Sequence, residues 1–146
     1  MTVSYEVDIE NSLEKVFTYI SSPLNDHQWK KRVISTAYVN GDDIKKGLVF
    51  EQKIKFLFAK IHFYFFVADY KKNESFTIVS IDSSCQITQK ISVKSNLDGG
   101  CHLDIFINET VNNIFLKWSS TIIRKLLLKA IQQDCDNLKA ILYNKS

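Results

Sequence analysis

Proline occurs once and glycine four times in 146 residues. A chain so poor in backbone breakers is built from long elements joined by few turns. No run reaches the roughly 18 apolar residues that a membrane-spanning helix requires. There is no CxxC pair, no glycine-rich phosphate loop and no GxSxG elbow. Those absences remove the usual marks of a zinc ribbon, a nucleotide cradle and a serine hydrolase. Charge of one sign is also scarce. The formal net charge is +3 and charged residues make up 24% of the chain, close to the globular average of about 25%. Its basic clusters, Lys30-Lys31-Arg32 and the set Arg124, Lys125 and Lys129, read as solvated surface. Acidic residues are scattered among the basic ones across the chain, so no nucleic-acid partner is expected.

The N-terminal stretch "MTVSYEVDIE" is acidic and alternating. It lacks the basic start and apolar block of a signal peptide, so cytoplasmic residence is the default expectation. Cys85, Cys101 and Cys135 are odd in number and widely spaced. They read as reduced thiols that pack as small hydrophobes. His27, His62 and His102 share no ligand spacing, and the neighbours Cys101 and His102 would point to opposite faces of a strand. No metal site and no cofactor is expected.

What is present is apolar: 45% of the residues, enough for a substantial core in a single domain over 1–146. Val3, Tyr5, Val7 and Ile9 alternate with Ser4, Glu6 and Asp8, the pattern of a half-buried strand. Asn11 or Ser12 can cap a short helix carrying Val16, Phe17 and Ile20. Pro23 stops that helix and opens a second, running to about Trp29. Six strands follow, predicted at 33–39, 47–57, 60–70, 74–82, 86–95 and 101–109. Their short breaks, such as Lys72-Asn73 and Asp98-Gly99-Gly100, imply antiparallel neighbours. From about Asn113 to Tyr143 there is neither glycine nor proline. Ile131, Cys135, Leu138 and Leu142 keep helical spacing, with Phe115, Trp118, Ile122 and Leu126 as an adjoining stripe. This predicts a C-terminal helix of about 30 residues. The fold class is α+β. A seven-stranded antiparallel sheet must bury one face, and the simplest cover is that helix, with the sheet curled around it.

In this order of elements the chain resembles the START-like superfamily, the helix-grip fold of polyketide cyclase-like (SRPBCC) proteins, lipid-transfer domains and birch-pollen-allergen relatives. "VFTYISSPLNDHQW" looks like the family's two short helices, "NGDDIKKGLVF" like its hairpin into the third strand, and "DNLKAIL" like its final helical turns. The resemblance implies an apolar ligand held between sheet and helix. It carries no catalytic residue over, because the superfamily has no universal catalytic motif.

Period-two alternation assigns the faces. Leu48, Phe50, Gln52, Ile54 and Phe56 share the inward face of one strand, Gln89 and Ile91 that of another, and Leu103 and Ile105 that of a third. Residues 56–70, "FLFAKIHFYFFVADY", do not alternate. Phe63 and Phe65 lie on one apolar face, and His62, Tyr64, Phe66, Ala68 and Tyr70 on the other. Large exposed apolar patches usually mark contacts, so the second face suggests a homodimer. The ligand-facing set is therefore Phe50, Gln52, Ile54, Phe63, Phe65, Gln89, Ile91, Leu103 and Ile105 from the sheet, with Trp118 and Ile122 from the helix. Gln52 and Gln89 are the polar members. As buried amides they must bond a ligand, a water or each other.

Three functions fit this pattern. The first is binding or transfer of a hydrophobic small molecule or lipid. The second is a cyclase or hydratase using the same cavity, in which few ionisable residues are needed. The third is a protein-interaction domain with a filled core.

Overall fold

The computed structural model describes residues 2–56, 58–81, 85–111 and 120–143. Seven antiparallel strands form one sheet: β1 (Thr2–Ile9), β2 (Val33–Tyr38), β3 (Val49–Phe56), β4 (Ala59–Lys71), β5 (Ser75–Ile81), β6 (Cys85–Ser95) and β7 (Cys101–Val111). Their spatial order is β1-β7-β6-β5-β4-β3-β2. Strands β2 to β7 make a meander, and β1 returns to pair with β7 at one edge. Between β1 and β2 lie α1 (Leu13–Ile20), a 3-10 turn (Pro23–Asn25) and the one-turn helix α2 (Asp26–Trp29). The long helix α3 (Ser120–Ile141) follows the sheet. The predicted order of elements is the observed one, and the strand limits shift by a residue or two. Residues 112–119, which hold Phe115 and Trp118 of the predicted helix, are outside the described set.

Local chemistry explains the boundaries. Ser12 caps α1 by accepting the Lys15 N–H at 3.4 Å. Asn11 does a different job: its amide donates to the Leu142 carbonyl at 3.0 Å, closing the C-terminal end of α3. Gly47 enters β3 at φ +92°, where its N–H donates to the Val67 carbonyl at 2.8 Å. A side chain at that φ would be strained. Asn73, at φ 62°, turns the β4–β5 hairpin, a conformation that asparagine tolerates.

Two register shifts bend the sheet, between Val33 and Ser35 in β2 and between Val67 and Asp69 in β4. The second corrects the face assignment of Tyr70. One extra residue flips the alternation, so Tyr70 points inward and its ring centroid lies 5.7 Å from that of Phe17. Upstream of the bulge, Phe63, Phe65 and Val67 are buried as alternation predicts.

The core runs along the concave face. Val3, Val7 and Ile9 of β1 and Leu103, Ile105 and Ile107 of β7 meet Leu127, Ile131, Cys135, Leu138 and Leu142 of α3 in one buried cluster. Phe17 packs edge-on against Phe76 at 6.0 Å, and Phe50 stacks on Phe65 at 5.5 Å. Cys101 and Cys135 are buried free thiols. Burial pushes their pKa values up, to about 11 and about 12, so neither is a reactive thiolate near neutral pH. No helix among the described residues is long and apolar enough to cross a membrane.

Candidate ligand-binding site

Two neighbouring features share the space under α3. The first is a buried polar network that begins on α2. Because that helix is one turn long, Asp26 and Lys30 stand four residues apart and face the same way. Both turn toward the sheet. Their side chains keep 4% and 15% of their surface exposed. The Lys30 ammonium donates to Asp26 Oδ2 at 3.1 Å and to Gln89 Oε1 at 3.5 Å. The Gln52 amide donates to the same Asp26 oxygen at 2.7 Å and to Thr36 Oγ1 at 3.2 Å. Lys30 Nζ also lies 5.0 Å from the centre of the Trp29 ring, within reach of a cation–π contact.

Burial pushes the Asp26 carboxyl above the usual carboxylate range, against the pull of the Lys30 charge and the Gln52 hydrogen bond. The hydroxyls of Tyr38 and Tyr19 are also raised, first by burial and further by the Asp26 charge. Trp29 Nε1 is buried and has no hydrogen-bond partner among the described residues. A buried donor left unmade costs roughly 1–3 kcal/mol.

The second feature is a groove of about 470 Å³. Ile123, Leu126, Leu127 and Ala130 form its helical wall, and Lys31, Arg32, Lys55 and Glu109 the opposite side, with Gln133 and Asp134 also in the lining. Asp134 Oδ1 accepts the Lys31 N–H at 3.0 Å, and the Asn137 amide donates to the Trp29 carbonyl at 3.3 Å. These bonds fasten α3 to the segment that carries Lys30. Burial raises the pKa of Glu109, with Arg32 opposing, and raises that of Asp134.

Register relates the two features. Glu109 pairs with Ile87 and Ile107 with Gln89. Gln89 therefore stands two residues further into the sheet than the groove's edge, and Gln52 stands three residues before Lys55, the groove residue of β3. The amides lie deeper and the charged side chains lie at the rim.

The expected ligand-facing residues divide into groups. Phe50, Phe63, Phe65, Ile91, Leu103 and Ile105 are buried in the packed core. Ile54 is half-buried against it. Gln52 and Gln89 do not bond each other; Asp26 and Lys30 stand between them. Trp118 lies outside the described residues. Ile122 is 63% exposed and differs from the expectation. The buried stripe of α3 runs Leu127, Ile131, Cys135, Leu138, Leu142, and Ile122 sits about 140° around the helix from Leu127. Trp29 lies buried under α3.

Sequence reasoning missed Asp26 and Lys30, because Lys30 reads as one of three consecutive solvated cations. The i, i+4 spacing was the available signal. It also missed Glu109, which continues the inward row Leu103, Ile105, Ile107 as an acid at its open end.

On the convex face, His102 sits among three carboxylates. It pairs through Nδ1 with Asp8 at 2.8 Å, and Nε2 lies 3.6 Å from Asp104 and 3.9 Å from Glu6. Glu6, His102 and Asp104 offer atoms within 4.8 Å of one another, the spacing of a metal-binding trio. A protonated imidazole balances these carboxylates itself, and the His102 pKa is raised, chiefly by its hydrogen bond to Asp8.

No protein-family model and no curated protein matches the chain. Solved structures do, along nearly its whole length. A protein of Thermus thermophilus is 12% identical at TM-score 0.82, covering 96% of this chain and 95% of its own. A START superfamily protein from Mycobacterium smegmatis is 14% identical at TM-score 0.76, with 97% and 96% covered. A point mutant of norcoclaurine synthase from Thalictrum flavum, in complex with a transition-state analogue, is 12% identical at TM-score 0.69, with 97% and 93% covered. At these identities the likeness is one of fold: a START-like helix grip, with the sheet curved around the C-terminal helix.

Proposed function

We propose that the protein binds, and carries between sites, a hydrophobic small molecule or lipid in the space between the sheet and α3. The groove of about 470 Å³ carries this reading. Its size falls within the roughly 300–1,000 Å³ of small-molecule sites. Ile123, Leu126, Leu127 and Ala130 give its helical side an apolar strip beside Lys129, Gln133 and Asp134, and the opposite rim is charged, which suits a ligand with a greasy body and a polar end. Apolar burial would supply affinity at roughly 25 cal/mol per Å². Lys31, Arg32, Lys55 and Lys129 in its lining are the cations suited to orient a ligand's carboxylate or carbonyl, with the Lys30–Gln89 network beside it.

Native mass spectrometry of the chain as purified tests this directly. An adduct that dissociates as a lipid or apolar metabolite supports the proposal. A chain that purifies empty and takes up neither 1-anilinonaphthalene-8-sulfonate nor a dansylated fatty acid would refute it.

The Asp26–Lys30 pair favours one alternative, an enzyme of the cyclase or hydratase kind using the same space. An ammonium held by a buried carboxylate can polarise a carbonyl, and the low-dielectric site strengthens that effect. The norcoclaurine synthase likeness is consistent with chemistry on this fold. The discriminating measurement is the mass of the bound compound after incubation. An unchanged mass supports carriage. A change that disappears in Lys30→Gln supports the enzyme.

A further inference from the structure

The β3–β4 hairpin ends in a side chain that water should not favour. Phe58 is fully exposed, at 104% of its reference surface. Beside it, Lys55 and Lys60 are direct partners across the strand pair. Like charges opposite one another destabilise a sheet in water. One hairpin tip thus combines two locally unfavourable choices, a pattern that marks functional surfaces.

The surroundings repeat the chemistry. Lys55 and the first half of α3 line the same groove, so the hairpin and the start of the helix share one end of the molecule. On that helix Ile122 and Leu126 are exposed, at 63% and 48%, among exposed Arg124, Lys125 and Lys129. Ile61, the partner of Ile54, faces inward by alternation yet is 36% exposed. The stretches 52–68 and 110–133 contain no aspartate or glutamate. The acids that share the groove, Glu109 and Asp134, are partly buried in its lining rather than exposed around the tip.

We propose that this end docks on an anionic lipid surface, with Phe58 entering the boundary between headgroups and acyl chains and the surrounding lysines lying against the headgroups. Glu51, further down β3, is paired with His62 at 2.7 Å; an apolar tip flanked by Lys55 and Lys60, with no acid within 52–68, complements a bilayer with negative headgroups. Lys55 belongs to both the tip and the groove lining, so docking brings that side of the groove to the membrane. The docking surface stands on residues outside the buried network and does not require that the groove hold a ligand.

The test is flotation of the full chain with vesicles of phosphatidylcholine alone, or with about one-third phosphatidylglycerol, at low and high salt. Binding is expected with phosphatidylglycerol only, and to fall as salt rises. Phe58→Ser should weaken it about tenfold, and Lys55→Gln with Lys60→Gln by a similar factor. Far-UV circular dichroism should be unchanged in each variant, because these side chains lie outside the core. In a Phe58→Trp variant, emission should shift to the blue on phosphatidylglycerol vesicles.

Absence of binding at low salt overturns the proposal, as does binding that ignores both sets of substitutions. Self-association abolished by Phe58→Ser, without vesicle binding, would assign the surface to a second copy of the chain and also overturn it. Ligand uptake measured without vesicles keeps this outcome separate from that of the proposed function.

Discussion

Where β1 ends and α1 packs, Val16, Phe17, Ile20, Phe76 and Tyr70 fill the space under the sheet with rings 5.7 and 6.0 Å apart. At the other end, beside the β3–β4 hairpin, the space opens into a groove whose rim is Lys31, Arg32, Lys55 and Glu109. Both ends lie on the same concave face and have the same covering helix. They differ in what the inward rows carry. Toward α1 the rows end in aliphatic and aromatic side chains. Toward the hairpin the β3 and β6 rows pass through Gln52 and Gln89, and the β7 row finishes in Glu109. The sheet–helix pair therefore stabilises the fold at one end and leaves a site at the other, with the Asp26–Lys30 network as the boundary.

Truncation should expose that contrast most strongly. Phe50→Ala is expected to cost about 3–5 kcal/mol of unfolding free energy, as buried Phe truncations do. Leu126→Ala, on the groove, should stay within about 0.5 kcal/mol. Urea denaturation compares them, and similar losses would break the distinction.

The boundary itself comes next. Lys30→Met leaves Asp26 buried without its counter-ion and should cost about 3 kcal/mol near neutral pH. Adding Asp26→Leu should restore most of that stability, because a buried pair and an apolar pair of similar volume are often equivalent. The pH dependence has a definite sign. A carboxyl whose native pKa lies above its unfolded value opposes folding as pH rises through that interval. Removing Lys30 takes away the cation that holds the Asp26 pKa down. The cost of Lys30→Met should therefore shrink as pH falls from neutral into the acid range, where Asp26 takes up a proton in the variant before it does in the parent. A double variant no better than the single one would count against the pairing.

Filling the open end should affect binding more than folding. Ala130→Trp is expected to lower dansylated fatty acid uptake about tenfold, with stability changed by no more than about 1 kcal/mol. Fluorescence titration measures this, and unaltered uptake would move the site elsewhere.

The smallest effect belongs to the convex face, away from both ends. The His102 pKa is raised above 6.5 by Asp8, with Asp104 and Glu6 adding to the effect. Stabilisation from this group is complete below the unfolded pKa and is lost as pH rises through the native one. Relative to the parent, His102→Gln should lower Tm by about 1–2 °C near pH 6 and leave it unchanged by about pH 9. Calorimetry at the two pH values checks the sign.

Much of the fold is legible from the residues. Strand alternation, the single proline at the start of the turn into α2, and the glycine-free stretch before Tyr143 mark the elements. Alternation also identified Gln52 and Gln89 as inward polar groups. It placed Tyr70 on the wrong face because a bulge adds one residue without a sequence mark strong enough to announce it. It left Lys30 on the surface because three adjacent cations look solvated. The neighbours that turn one of them inward, Gln89 and Asp26, are 59 and 4 residues away in the chain.

Sequence alone determined the elements, their order and the apolar faces of the regular strands, because hydrogen-bonding periodicity and turn chemistry act over a few neighbouring residues. Tertiary structure decided which inward residues became solid core and which border a groove, since that depends on where α3 lies over the sheet. It also brought Asp26, Lys30, Gln52 and Gln89 to one point. Desolvation makes each of these groups require a partner, and only the folded chain could supply one.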